Sequence, residues 1–207
     1  MSSLDILDWR RRVAELYATV RAASDPAAGH DIWKRARDEL FRRHPASPIP
    51  VEQRATFDGL AYGEYQPDLR FEVQVDTNVS PERFEVQTGT DGLVPFQRVG
   101  RVHLPVGDLD VWWLDSYGGG LFIPLKDASA GNITYGGGRY LLDTVKGADL
   151  GGHPRNYLVV DLNFAYNPSC AYDPMWACPL APPGNTIEAK LDAGELKPSP
   201  GKQSGRQ

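Results

Sequence analysis

The residues whose types and spacing could do chemistry fall between Asp127 and Cys178. Asp127, Thr134, Tyr135 and Arg139 make the first half of the set, and Asp161, Asn163, Tyr166, Asn167 and Cys170 the second. Arg139 follows a glycine triplet that leaves room around it, and a guanidinium so placed is a two-pronged clamp for a carboxylate or phosphate. Asp161 ends the apolar run that starts at Tyr157, and strand alternation puts its side chain on the same face as Asn163. Such a carboxylate is either paired with a cation, for which Arg139 is the candidate, or shifted in pKa enough to move protons. The set therefore predicts a pocket for a small polar or anionic molecule, walled by Asp127, Thr134, Tyr135, Arg139, Asn163, Tyr166 and Asn167. An enzymatic version makes Asp161 the general acid or base, Arg139 the anion clamp and Tyr135 or Asn167 a hydrogen-bond donor. Cys170 is then the outside candidate for a nucleophile, in a hydrolysis or proton transfer that needs no cofactor. The same residues also read as an internal Arg–Asp–Asn network that fixes loops and does nothing else.

Other chemistries lack their motifs. The phosphate loop, the dinucleotide glycine fingerprint, the nucleophile elbow and the paired-histidine zinc helix are absent. His30, His44, His103 and His153 are not spaced as local ligand pairs, so no metal site is expected. Cys170 and Cys178 are too far apart for the close pair of a zinc knuckle and have no second pair to join. In a reducing compartment they read as two buried thiols, or as one reactive thiol at Cys170.

The elements that must position these residues are legible from periodicity. Ile6, Trp9, Val13, Leu16, Tyr17 and Val20 mark one face of a first helix with Ser3 as its cap, and Arg10 to Arg12 read as its solvated side. A second helix is predicted over Asp31–Arg43, stopped by Pro45, and the two make a helical hairpin. Beyond Pro50 the period becomes two. Strands are predicted over Thr56–Tyr62, Arg70–Asp76, Arg83–Gln87, Val94–Leu104, Val111–Leu114, Leu121–Leu125, Arg139–Leu142 and Tyr157–Leu162. The short link from Thr77 to Glu82 suggests that the second and third of these pair with each other. Two similar stretches, SYGGGLFI from Ser116 and TYGGGRYL from Thr134, read as tight strand entries beneath aromatic side chains. From Asn167 prolines dominate, so this segment should wrap the body, with Ile187, Ala189 and Leu191 as a further edge strand.

The fold class expected is mainly β, an α+β arrangement: an antiparallel β-sandwich or partly open barrel with an N-terminal helical hairpin and a Pro-rich C-terminal wrap. At 207 residues one domain is expected, with the hairpin over 1–45, the β body over 50–165, the covering segment over 166–196 and a loose tail over 197–207. A formal charge of −5 with interspersed signs offers no basic face, so nucleic acid is not an expected partner. Neither a secretory leader nor a stretch of membrane-spanning length is visible, which points to a cytoplasmic protein with no membrane partner. The sequence leaves the oligomeric state open. A third reading, a structural or protein-interaction module, would use an aromatic surface around Trp112, Trp113 and Trp176.

The motif TYGGGRY over Thr134–Tyr140 is followed by DLNFAYNPSCAY over Asp161–Tyr172, then Cys178-Pro179, Pro182-Pro183, Asn185 and the Ala193–Glu195 triplet. In this order they resemble a bacterial and archaeal domain family of unknown function, of about 200 residues. The likeness extends to a Trp-Arg helix at the start and to the FDGL segment at Phe57–Leu60. The resemblance implies that Asp127 to Cys178 is the family's shared centre, and it implies no activity, cofactor or fold. This chain departs from the family pattern at Ile133 and Gly184, where the family carries Glu, and at Leu162, where it carries Phe. Carboxylates at the first two positions therefore cannot serve here.

Overall fold

A computed structural model describes residues 1–89 and 92–198. Helix α1 spans Ser3–Ala22 and α2 spans Pro26–Arg43. Ser2, not Ser3, caps α1: its hydroxyl accepts from the Asp5 N–H while the Asp5 carboxylate accepts from the Ser2 N–H, so two orphan donors are satisfied at once. The second helix begins a turn and a half earlier than expected, because Asp25 accepts from the Ala27 N–H and Pro26 occupies the first turn, where its missing N–H costs nothing.

Seven strands follow: β1 Arg70–Gln74, β2 Arg83–Thr88, β3 Gly92–Leu104, β4 Gly107–Leu114, β5 Gly120–Leu125, β6 Arg139–Asp143 and β7 Tyr157–Asp161. Strands β2 to β6 form one antiparallel sheet in chain order, and β1 pairs antiparallel with β7 in a separate ribbon. The expected pairing of β1 with β2 is thus replaced by two other partnerships. Phe71 and Val73 carry β1 onto the main core beside Val160, and Arg70 stands opposite Asp161 in the ribbon. The sheet does not close into a barrel; the protein is a β-dominated α+β fold.

One face of the five-stranded sheet buries Val102, Leu109, Val111, Ile123 and Leu125 under the ribbon and Ile187. The other buries Phe96, Trp112, Phe122 and Tyr140, an aromatic layer facing Phe84 and Tyr166. Alternation along β4 and β5 sends successive side chains to these two layers, so neither face is wet at the centre, and β6 is buried at every position. Strands β1, β2 and β3 show the alternation of a half-exposed strand, in β3 with Val102 and Leu104 inward and Arg101 and His103 outward.

Three further expectations change. Thr56–Tyr62 is no strand: the Leu60 N–H is satisfied by the Asp38 carboxylate of α2, and Tyr62 makes a single bridge to Glu195. Ile187 to Leu191 runs beside residues 126–128 with one parallel bridge from Thr186 to Lys126 and is too irregular for a strand, although Ile187 and Leu191 point inward. The aromatic surface is split by strand alternation, since Trp112 is fully buried and donates to Asn185 Oδ1 at 2.7 Å, whereas its neighbour Trp113 faces out. Of the tail, Lys197 is held by its N–H on the Ile133 carbonyl; residues 199–207 lie outside the described residues. Among the described residues no helix is long and apolar enough to cross a membrane, and no three His, Cys, Asp or Glu side chains are grouped to hold a metal.

Candidate functional site

Arg139 opens β6, and Gly138 before it adopts φ +85°, where a side chain would be strained and a Cβ would meet the Leu125 carbonyl at 2.8 Å. This tight entry aims the guanidinium inward. It bonds Asp127 Oδ2 at 3.0 Å and the carbonyls of Ala193 and Glu195 at 2.5 and 3.1 Å. Asp127 also accepts from the Thr134 hydroxyl at 2.9 Å and from the Ser129 N–H at 2.8 Å. Arg139 and Thr134 are wholly buried, and burial pulls the guanidinium pKa down against the pull of Asp127. Three of the expected site residues therefore come together, but as a knot that ties the C-terminal segment to β6.

Asp161 lies elsewhere. Its Oδ1 accepts from the backbone and side-chain nitrogens of Asn163 at 3.0 and 2.7 Å, and its Oδ2 accepts weakly from Tyr65 at 3.5 Å. Asn163 is consumed in turn by the Gln66 backbone. Burial raises the Asp161 pKa despite these bonds. The carboxylate borders a shallow cleft with Arg21, Arg70, Leu150 and Phe164, and Arg139 is not part of that wall. The expected convergence of Arg139 and Asp161 on one hollow is not what the fold builds, because each group has found local partners on a different part of the chain.

A second cleft, of about 80 Å³, opens between the helical hairpin and the segment after β7. Trp9, Val13, Tyr17 and Phe41 form the helical wall, and Tyr140, Tyr166, Asn167 and Cys178 the opposite one, with Arg37 and Lys146 between. Arg37 sits four residues from both Trp33 and Phe41, in the middle of the inward stripe of α2. It bonds Glu195 Oε2 at 2.6 Å, and the Trp33, Phe41 and Tyr166 rings lie 5.0 to 5.1 Å from its guanidinium carbon. Glu195 also accepts from the Asn167 N–H at 3.1 Å and from Asn167 Nδ2 at 3.2 Å. Burial works against the Arg37 charge, yet Glu195 and the facing tyrosines hold its pKa above the ordinary value, while burial pushes the Glu195 carboxyl up against the pull of Arg37.

The floor of the cleft is set by the turn after β6. Asp143 caps it by accepting from the Lys146 N–H, and Gly147, at φ +81°, packs so close to α1 that a Cβ there would lie 3.1 Å from the Ala14 backbone. Lys146 Nζ is 3.4 Å from Asp143 Oδ2 and leans over the Tyr140 ring. The Tyr140 hydroxyl is spent on the Pro179 carbonyl at 2.6 Å. Tyr140 and Tyr166 are pushed well above the ordinary phenol value by burial, and Tyr17 to about 12, so these hydroxyls stay neutral.

Two buried polar atoms of residues that line the cleft have no hydrogen-bond partner within the protein: Arg37 Nε, a donor, and Asn167 Oδ1, an acceptor. The Asn167 amide cannot be turned the other way, since its Nδ2 faces three acceptors, Glu195 Oε1, the Leu196 carbonyl and the Tyr172 hydroxyl. Of the residues expected from sequence, Tyr166 and Asn167 line the cleft. Tyr135 lies to one side, its hydroxyl 3.3 Å from the Cys170 carbonyl. Arg37 and Glu195 were missed as site residues. An arginine amid an aromatic helix stripe is a signal for the first, and for the second only the Ala193–Glu195 triplet of the resemblance noted above speaks.

The knot and the second cleft share the covering segment, and comparison with known proteins spans it. A family model described as "Protein of unknown function (DUF1684)" matches residues 55–196. The chain belongs to the DUF1684 family. A similar solved structure is that of the uncharacterized protein from gene locus rrnAC0354 of Haloarcula marismortui, determined by solution NMR. It is 33% identical with a TM-score of 0.55, over 80% of this chain and 91% of that one. No curated protein matches. The DUF1684 match begins beyond both helices, so Asn167, Glu195, Lys146 and Cys178 lie inside the matched span, and Arg37 outside it. Gly184 rests against Asp110, and a Cβ there would come within 2.0 Å of Oδ2.

Proposed function

We propose that this DUF1684 protein binds a small polar molecule in the cleft between its helical hairpin and the covering segment. One observation carries the reading: two residues that line the cleft each keep a buried polar atom unpaired, the donor Arg37 Nε and the acceptor Asn167 Oδ1. An unsatisfied buried polar group costs about 1–3 kcal/mol, so a ligand that answers both recovers that cost on binding. The volume limits the occupant. About 80 Å³ is far below the roughly 300–1,000 Å³ of drug-sized ligand pockets, which excludes a nucleotide or a large cofactor in this shape.

Charge limits it further. The Arg37 cation is neutralised by Glu195 and the Lys146 cation faces Asp143, so the cleft favours a neutral or singly charged compound over a phosphate dianion. The preferred chemistry is a compact body with one acceptor for Arg37 and one donor for Asn167, as in a hydroxy acid, an amide or a urea. Val13 lines the cleft with an apolar side chain, so Val13→Phe is the variant to fill it while the Arg37, Glu195 and Asn167 side chains are kept. A thermal-shift panel of such compounds, with inorganic phosphate as the control, tests the reading. Donor-acceptor compounds are expected to raise the melting temperature of the wild type and not of Val13→Phe. Hits that survive the filled cleft, or phosphate as the strongest stabiliser, contradict it.

A further inference from the structure

The cleft beside Asp161 is separate from the one between the hairpin and the covering segment, and no residue lines both. Arg70 and Asp161 stand opposite each other in the β1–β7 ribbon, so their side chains share one face, while Phe71 and Val160 carry the other onto the core. A guanidinium and a carboxylate so placed could meet in a two-pronged pair, yet they do not. Among the described residues the Arg70 guanidinium makes no hydrogen bond and one ion pair, a loose contact of 3.6 Å with the exposed Glu72. Asp161 is buried, and Asn163 occupies its Oδ1, but Oδ2 has a single long contact, the Tyr65 hydroxyl at 3.5 Å. Arg21, at the end of α1, lines the same cleft and spends one nitrogen on the Asp149 carbonyl at 2.5 Å. Most of the remaining lining is apolar, with Val20, Ala23, Leu150 and Phe164 among it. Cation and anion thus border one hollow, each with bonding capacity that the protein leaves unused.

We infer that this cleft is a binding site for a small α-amino acid, whose carboxylate is held by Arg70 with Arg21 beside it and whose ammonium is held by Asp161. The charges of the lining select a zwitterion. A plain carboxylate answers the two guanidinium groups but brings a second anion to the buried Asp161, and a plain amine answers Asp161 but adds a third cation. An α-amino acid carries both charges on neighbouring atoms and meets the two ends together. Burial holds the Asp161 carboxyl above its ordinary range, and an ammonium beside it offsets that penalty. Size sets the side chain: a cleft of about 80 Å³ with apolar walls takes a short, uncharged one, as in glycine or alanine. The inference is independent of the polar-ligand reading, since it uses another cleft and none of the same residues.

The test is a titration of the full chain with L-alanine, followed by backbone amide shifts in a nitrogen–proton correlation spectrum. Saturable shifts are expected at Arg21, Leu150 and Asp161. Propionate, which lacks the ammonium, and ethylamine, which lacks the carboxylate, are each expected to bind more weakly by about tenfold or more. Arg70→Gln and Asp161→Asn should weaken L-alanine by a similar factor, whereas Val13→Phe, in the other cleft, should leave its affinity unchanged. Should Asp161→Asn fold poorly, the comparison of L-alanine with propionate reads the Asp161 end without a variant, and Arg70→Gln, which breaks only a loose surface pair, reads the other. Absence of saturable shifts in millimolar L-alanine, propionate binding as tightly as L-alanine, or full affinity in Arg70→Gln would each overturn the inference. L-alanine binding that is lost in Val13→Phe and kept in Arg70→Gln would assign the amino acid to the other cleft and overturn this inference alone.

Discussion

Two buried arginines set the two halves of this molecule apart. Arg139 and Arg37 are each enclosed, each bonded to the 193–195 segment, and each left with an unpaired Nε. Arg139 faces a carboxylate, two carbonyls and no cleft wall, whereas Arg37 faces a carboxylate, three aromatic rings and open space. The contrast teaches that residue type does not separate clamp from site. Whether the surrounding chain closes over the group does, and at Arg139 the covering segment has closed, while Arg37 lies on the lining of a cleft with Trp9, Val13 and Tyr17 of α1.

The largest break in that contrast comes from Arg139→Ala. It leaves Asp127 buried without its cation and the Ala193 and Glu195 carbonyls without a donor, and removal of one partner of a buried ion pair costs about 3–5 kcal/mol. The expected result is a fall in melting temperature of roughly 6–20 °C for a chain of this length, with any ligand response lost only through unfolding. Next comes Gly147→Ala. The left-handed φ and the close approach to Ala14 together predict a cost of about 1–3 kcal/mol in denaturant titration and a hairpin pushed away from the turn, which widens the cleft.

Asp161 supplies the pH dependence. Its folded pKa is raised above the ordinary 3.8, so the native state takes up this proton before the unfolded chain does. Between 3.8 and the higher folded value its contribution to stability therefore falls as pH rises. Asp161→Asn should flatten that part of a stability-against-pH curve; an unchanged slope would show that the carboxylate is not desolvated as described. The smallest effect is Lys146→Ala. Its bond to Asp143 is half exposed, so stability should change by no more than about 0.5 kcal/mol.

Much of the fold was legible because it is periodic. The two helices follow from the spacing of Trp9, Val13, Leu16 and Trp33, and six of the eight expected strands reappear near their expected bounds, with Val111–Leu114 a further, shorter piece of β4. What escaped was partnership. Nothing in β1 says that its mate is β7, eighty-odd residues away, because an alternating strand fits any edge with a matching apolar face. Thr56–Tyr62 failed for a related reason, since a side chain of α2 took the backbone hydrogen bond that a neighbouring strand would have supplied.

The site was legible in part for the same cause. Asp127, Thr134 and Arg139 are close in sequence and meet as expected, and so do Asp161 and Asn163. Joining those two groups required long-range geometry that the motifs do not encode. Arg37, Glu195 and Asn167 come from three distant stretches, and only folding reveals that Glu195 collects bonds from the other two.

The central claim is that Arg37 borders a ligand cleft while Arg139 is sealed in scaffold, and the Nε–Hε signals of the two arginines report it directly. In a nitrogen–proton correlation spectrum, addition of a small hydroxy acid or amide selected by the thermal-shift panel should move the Arg37 Nε–Hε resonance and leave that of Arg139 in place. Movement at Arg139 with Arg37 unchanged would contradict the account.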